Sequence, residues 1–266
     1  MSLFMPSKFV SEPALKRPGR KPVGAVDFES GILQPYLGDD YALFGPFNGR
    51  YCLTHSYAVS GTTRTEANAI IANTADGDAG VHLDNTHFSL QGATRLSMLF
   101  VADLPAGNFS GTAPGDEQDI FRETDSKRPG VALASMGGTT NLRGLIHTNG
   151  TTLWTADRDI SVAAYMGHRV LIAMTWDGAN RFIYIGKLGE QVALVEQYVC
   201  TGSVQIDGGS PAAKKAVYCG GEHASADGPD YPVYMGLVTK KLMPKSALDQ
   251  VCGSPYQFLK PRGSVW

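Results

Sequence analysis

Charge is scarce in this chain: 18% of its 266 residues are Asp, Glu, Lys or Arg, against 43% hydrophobic. That balance excludes wholesale disorder, because there is enough apolar surface to bury. The formal net charge of -2 gives the body of the protein no electrostatic footprint for nucleic acid. Long apolar runs are missing too; none approaches the roughly 20 residues that a bilayer-spanning helix needs, so no membrane partner is expected. The opening MSLFMPSKFVSEPALKRPGRKPVG lacks a continuous apolar stretch, and its charges follow its few apolar residues. It does not read as a signal peptide, and folding in a cytoplasm is expected. Cys52, Cys200, Cys219 and Cys252 stand far apart with no CxxC pair. Isolated buried thiols are the favoured reading over a disulfide pair or a zinc site. A repeat of fixed period is also absent, which excludes a propeller or a solenoid.

What the chain does have is turns. It contains 31 Gly and 15 Pro, as many short strands require. His168 to Gln197 (HRVLIAMTWDGANRFIYIGKLGEQVALVEQ) reads as a three-stranded meander. A tight turn at Asp177-Gly178-Ala179-Asn180 is followed by a second one at Gly186 to Gly189. Its polar residues Asp177, Asn180 and Glu190 are assigned to turns and solvent-facing positions. Further strands are expected at Val23–Phe28, within Tyr36–Tyr51, and at Arg95–Asp103, Ile120–Phe121, Gly130–Ala134, Leu142–His147 and Thr151–Thr155. Ala216–Gly220 and Tyr231–Leu242 close the set. Thr62–Asn85 admits either a short helix at Arg64–Ala72 or a strand between loops. One helix is expected after Pro244, where Ser246-x-x-Asp249 has the spacing that satisfies free amides at a helix start; Gly253 and Pro255 end it.

Residues 1–22 form an extended arm distinct from the domain 23–266. Lys8, Lys16, Arg17, Arg20 and Lys21 face only Glu12, and Pro6, Pro13, Pro18 and Pro22 exclude a long helix or a central strand. A solvated tail and a segment that orders on a partner are both open.

Several segments carry a family likeness: Thr175-Trp176-Asp177-Gly178, Tyr184-Ile185-Gly186-Lys187, Val217-Tyr218-Cys219-Gly220-Gly221-Glu222 and the run Tyr231–Cys252. The tail Gly253 to Pro261 (GSPYQFLKP) is similar to an Asn-Pro-Trp-Gln-Leu-Phe ending, with Ser254 and Tyr256 in place of Asn and Trp. Together these resemble the laminin G-like, concanavalin A-like lectin/glucanase sandwiches of bacteriophage and prophage structural proteins. The likeness runs from Gly167 to Pro261 and more loosely back to Val23. It implies an all-β antiparallel sandwich, a concanavalin A-like jelly roll, whose first and last strands pair at the centre.

Glucanases of that fold carry Glu-x-Asp-x-Glu on one strand, which puts three carboxylates on one face. Here Glu117 and Asp119 keep the interval, but Glu123 arrives two positions late, and the segment is expected to begin in a loop after Pro114-Gly115. Asp76-Gly77-Asp78 and Asp227-Gly228-Pro229-Asp230 are read as turns; calcium is the alternative there, and no other cofactor is expected. His82 and Asp84 share a strand face without a third metal ligand. No Gly-x-Ser-x-Gly elbow is present. Trp176 is assigned to packing, and Trp154 stays open between packing and sugar stacking. Trp154, Asp227, Asp230 and Tyr231 are the candidate glycan-binding residues. Lys8, Lys16, Arg17, Arg20 and Lys21 are the candidate partner-binding residues of the arm.

The expected function is a non-enzymatic structural protein of a phage virion, decorating the capsid or forming part of the tail or fibre. It would be made in the host cytoplasm without a signal peptide and would adhere to other virion subunits, itself included. The alternative is a glycan-binding, lectin-like module or degenerate glycoside hydrolase directed at a host cell-surface polysaccharide.

Overall fold

The computed structural model describes residues 32–37, 41–44, 64–66, 69–72, 81–84, 93–107, 117–122, 130–136, 139–145, 160–199, 215–219 and 231–253. In chain order the strands are β1 (Tyr41–Phe44), β2 (Arg64–Glu66), β3 (Ala69–Ala72), β4 (Val81–Asp84), β5 (Leu96–Asp103), β6 (Glu117–Arg122), β7 (Gly130–Met136), β8 (Thr139–Leu145), β9 (Ile160–Ser161), β10 (Arg169–Trp176), β11 (Asn180–Lys187), β12 (Ala193–Val199), β13 (Lys215–Cys219) and β14 (Tyr231–Thr239). Helix α1 spans Gln34–Leu37 and α2 spans Lys245–Cys252. Among these residues the strands form two antiparallel sheets. The main one runs β12-β11-β10-β5-β14-β3-β2, with β1 also paired to β14, and the other runs β4-β13-β6-β7-β8-β9.

The meander comes out as expected. Val170–Trp176 pairs with Lys187–Arg181, and Asn180–Ile185 pairs with Val199–Ala193. Asp177 closes the first turn: its Oδ1 accepts from the amides of Ala179 and Asn180 at 2.8 and 2.7 Å. Gly178 sits there at φ 104°, in the region that favours glycine. Partial burial pushes the Asp177 carboxyl up, but the amides of Asn180 and Ala179 outweigh it and hold it below its ordinary value.

β5, β10 and β14 are buried along almost their whole length, so the sheet centre is covered on both sides. One face carries Leu99, Val101, Leu171, Ala173, Met235 and Leu237, packed with Leu33, with Leu37 of α1 and with Leu248 and Val251 of α2. The other, inner face carries Met98, Phe100, Ile172, Met174, Ile183 and Ile185. Each buried Leu, Ile, Val, Met or Phe side chain contributes about 1.5–3 kcal/mol. β14 is the keystone, with β5 along one edge and β1 and β3 sharing the other. Two buried hydroxyls fasten the layer. Thr239 Oγ1 donates to the Tyr36 carbonyl at 2.7 Å, and Ser97 Oγ donates to the Lys241 carbonyl at 2.8 Å while accepting from the Met243 amide.

Some expectations change. Tyr36 lies in α1 rather than in a strand, and of the two alternatives for Thr62–Asn85 the strand one holds, with Arg64–Glu66 pairing with Ala69–Ala72. β6 already pairs at Glu117, so that segment does not begin in a loop. β14 ends at Thr239, short of Leu242. Helix α2 has Pro244 as its N-cap with no side-chain cap, so Ser246 does not form the expected capping pair with Asp249. The expected strands at 23–28 and 151–155, and the arm 1–22, lie outside the described residues.

Candidate functional site

The turn joining β11 to β12 is laced to α2. The Gly189 amide donates to the Cys252 carbonyl at 2.8 Å, and Cys252 Sγ donates to the Lys187 carbonyl at 3.2 Å. The Val192 amide donates to Asp249 Oδ1 at 2.9 Å, and Lys245 Nζ donates to both Asp249 oxygens at 2.9 and 2.8 Å. Gly186 makes the close approach possible, because a Cβ there would stand 2.9 Å from Cys252 Sγ and 3.0 Å from Val192 Cα.

Between turn and helix lies an open cleft of about 530 Å³, lined by Glu190, Gln191, Asp249 and Gln250, with Ile32 as its apolar wall and Gly189 and Gly253 beside it. The size suits a small ligand. Two carboxylates and two amides offer both acceptors and donors, the set that meets neighbouring hydroxyls. Cys252 is not a nucleophile for this cleft. Burial first, and then the charges of Asp249 and Glu190, push its thiol up to about 12.

A second cluster lies at the same end of the sheet, on the helix-covered face. Arg169 grips Asp103 across the β10–β5 pair through Nε at 2.6 Å and Nη2 at 3.0 Å. The guanidinium lies 3.7 Å from the centre of the Tyr234 ring, and the Tyr234 hydroxyl donates to Asp103 Oδ2 at 2.8 Å. Burial, followed by the acceptor and charge of Asp103, pushes that phenol up to about 12, with Arg169 partly opposing. It is therefore a donor rather than a phenolate at neutral pH. The Arg169 carbonyl accepts from the Leu188 amide at 3.0 Å, so this cluster anchors the start of the cleft-forming turn.

Of the residues expected to bind glycan, Trp154, Asp227 and Asp230 lie outside the described residues. So do Lys8, Lys16, Arg17, Arg20 and Lys21 of the arm and the calcium candidates Asp76 and Asp78. Tyr231 opens β14 opposite Ala72. Trp176 is fully buried, as packing requires, and among the described residues its Nε1 has no hydrogen-bond partner. Cys252 is a buried free thiol, as expected. Among the described residues no group of three or more His, Cys, Asp or Glu is placed to hold a metal. Sequence reasoning missed the cleft: Glu190 was assigned to a solvent-facing turn and Asp249 to a helix start. The signal that joins them is tertiary, since Val192 and Asp249 are 57 residues apart.

No family model and no curated protein matches the chain. Solved structures share its fold. One is Trypanosoma rangeli sialidase in complex with 2,3-difluorosialic acid, at 12% identity and TM-score 0.51, covering 82% of this chain and 33% of that one. The same sialidase with the inhibitor DANA gives a TM-score of 0.50 at 11% identity and the same coverage. Another is domain 4 of AbnA, a GH43 extracellular arabinanase from Geobacillus stearothermophilus, in complex with arabinotriose. It is 14% identical at TM-score 0.51, covering 79% of this chain and 97% of that domain. The chain thus spans about a third of the sialidase but nearly all of the arabinanase domain.

These likenesses correct the sequence reading. The all-β sandwich stands at the level of two sheets and a short C-terminal helix. The phage laminin G-like assignment finds no support, and the expected role as a non-enzymatic capsid-decorating, tail or fibre protein is overturned: the solved structures named above come from a sialidase and an arabinanase, not from virion proteins. The sequence misled because an Asp-Gly hairpin and a short C-terminal helix report a scaffold, and one scaffold serves unrelated tasks.

Proposed function

We propose that this chain is a carbohydrate-recognising β-sandwich of the concanavalin A-like jelly-roll type that serves glycan processing. It holds an oligosaccharide in the cleft between the β11–β12 turn and α2. The observation that carries this reading is the likeness to the arabinanase domain, matched over 97% of its length and bound to arabinotriose. The central pairing of β1 with β14 supports the jelly-roll topology. The cleft supplies what a sugar needs: planar acceptors and amides for hydroxyls, an apolar side chain for the ring carbons, and enough room.

A glycan array of the purified full chain, followed by calorimetry on the hits, is the test. Saturable binding weakened by Gln191→Ala or Gln250→Ala is expected; no binding to any glycan would overturn the reading. Turnover is a second reading, favoured by Glu190 and Asp249 lining one cleft, since glycoside hydrolysis needs a pair of carboxylates. Reducing-end release from a bound polysaccharide, lost in Glu190→Gln, would establish it.

A further inference from the structure

We infer that the cleft selects uncharged oligosaccharides and rejects anionic ones such as sialylated or uronic-acid chains, with Glu190 and the C-terminal end of α2 setting the rule. This rests on the carbohydrate reading above and narrows it to a substrate class. The matched arabinanase domain holds a neutral pentose chain; the sialidase's acidic ligand does not bear on the question, since the chain covers 33% of that protein. The local chemistry decides. A sugar carboxylate is recognised by Arg, Lys or a helix N-terminus, which supply charge-assisted donors. Among the described residues no basic side chain lines this cleft.

Two of the cations described nearby are committed, and Lys187, at the start of the same turn, does not line the cleft. Lys245 donates to both oxygens of Asp249, and Arg169 grips Asp103 bidentately. Glu190 is exposed, and among the described residues no ion pair joins it to a cation. Gln250 and Gly253 belong to the last turn of α2 and its C-cap. The cleft therefore meets the negative end of the helix dipole, although the Asp249 and Cys252 carbonyls there accept from the Gly253 and Gly189 amides. The same negative field reaches inward, since Asp249 and Glu190 both help to raise the buried Cys252 thiol. Asp249, with its carboxylate fixed by Lys245 and the Val192 amide, offers a pre-oriented acceptor to a hydroxyl.

The test is calorimetric titration of the full chain with arabinotriose, 3′-sialyllactose and a trigalacturonate. It is repeated with Glu190→Lys and Glu190→Gln, whose exposed position leaves folding intact, as circular dichroism would verify. The neutral sugar is expected to bind the native chain at least about tenfold more tightly than either anion, and Glu190→Lys is expected to erase that gap. An anionic sugar that binds the native chain equally or better overturns the charge rule but leaves the carbohydrate reading standing. So does a preference that Glu190→Lys leaves unchanged. If none of the three sugars binds and the array is also blank, the carbohydrate reading falls and takes the charge rule with it.

Discussion

Arg181 lies on the inner face of the main sheet with none of its side chain exposed, and Glu196, 5% exposed, accepts from its Nη2 at 2.7 Å. The two are diagonal neighbours across β11 and β12, where Arg181 faces Tyr198 and Ile183 faces Glu196. The Tyr198 ring lies 5.2 Å from the guanidinium. Removing two ions from water costs several kcal/mol, and the pair offsets that cost only while both members remain. Among the described residues Glu196 Oε1 has no hydrogen-bond partner, so the offset is incomplete. Glu196→Ala is expected to lower stability by about 3 kcal/mol. Replacing both, as Arg181→Met with Glu196→Leu, is expected to recover most of the loss, because no charge is then buried. Urea unfolding of the three proteins checks this, and a double variant no better than the single would refute it. Strand alternation alone assigns Arg181 no partner; only the ladder register brings Glu196 to it.

At the level of elements, the β10–β11 hairpin and α2 differ in how far local residues specify them. The hairpin was legible because its determinants are adjacent: Asp177 caps the turn and Gly178 supplies the positive φ. The existence and end of α2 were expected too, from the Ser246-x-x-Asp249 spacing after Pro244 and from Gly253 and Pro255, but that capping pair does not form and the attachment of the helix was not legible. Asp249 is engaged by Lys245 one turn back and by Val192 on another element, rather than by a helix cap. The Gly186 contact is equally remote, since the position reads as an ordinary turn glycine until Cys252 is packed on it. Gly186→Ala is expected to force the turn away from α2 and cost about 2 kcal/mol, within the range of core overpacking. It is also expected to weaken sugar binding, because the turn forms one wall of the cleft. Chemical denaturation and titration on the same preparation would check both effects; full stability in the variant would mean the turn yields freely.

For the whole molecule, the groups with raised pKa set a limit on the alkaline side. The Cys252 thiol rises from 9.0 to about 12 and the Tyr234 phenol from 10.0 to about 12, burial being the main cause of each. Tyr184 moves in the same direction, also through burial. Each folded-state value lies above its unfolded value, so the stabilisation is complete below the unfolded pKa and is lost as pH rises through the window to the folded one. Urea midpoints are therefore expected to hold near neutrality and fall progressively between pH 9 and about pH 12. Cys252→Ala is expected to move the onset up toward pH 10, where Tyr234 takes over. A midpoint that stays flat through this window would show that neither group is buried as described.

Composition, turn residues and strand alternation determined by themselves that this protein is a β-rich globule with a central meander and a short closing helix. Those signals are local, carried by adjacent residues such as Asp177 and Gly178 or by residues that bracket one short element, such as Pro244 and Gly253. The tertiary structure alone decided that β14 is shared by β5, β1 and β3. It alone buried Arg181 against Glu196, and it alone opened a cleft between Glu190 and Asp249. Each of those depends on residues far apart in sequence meeting through sheet register and helix docking. No periodicity encodes such meetings, because many registers satisfy the same alternation and packing selects among them.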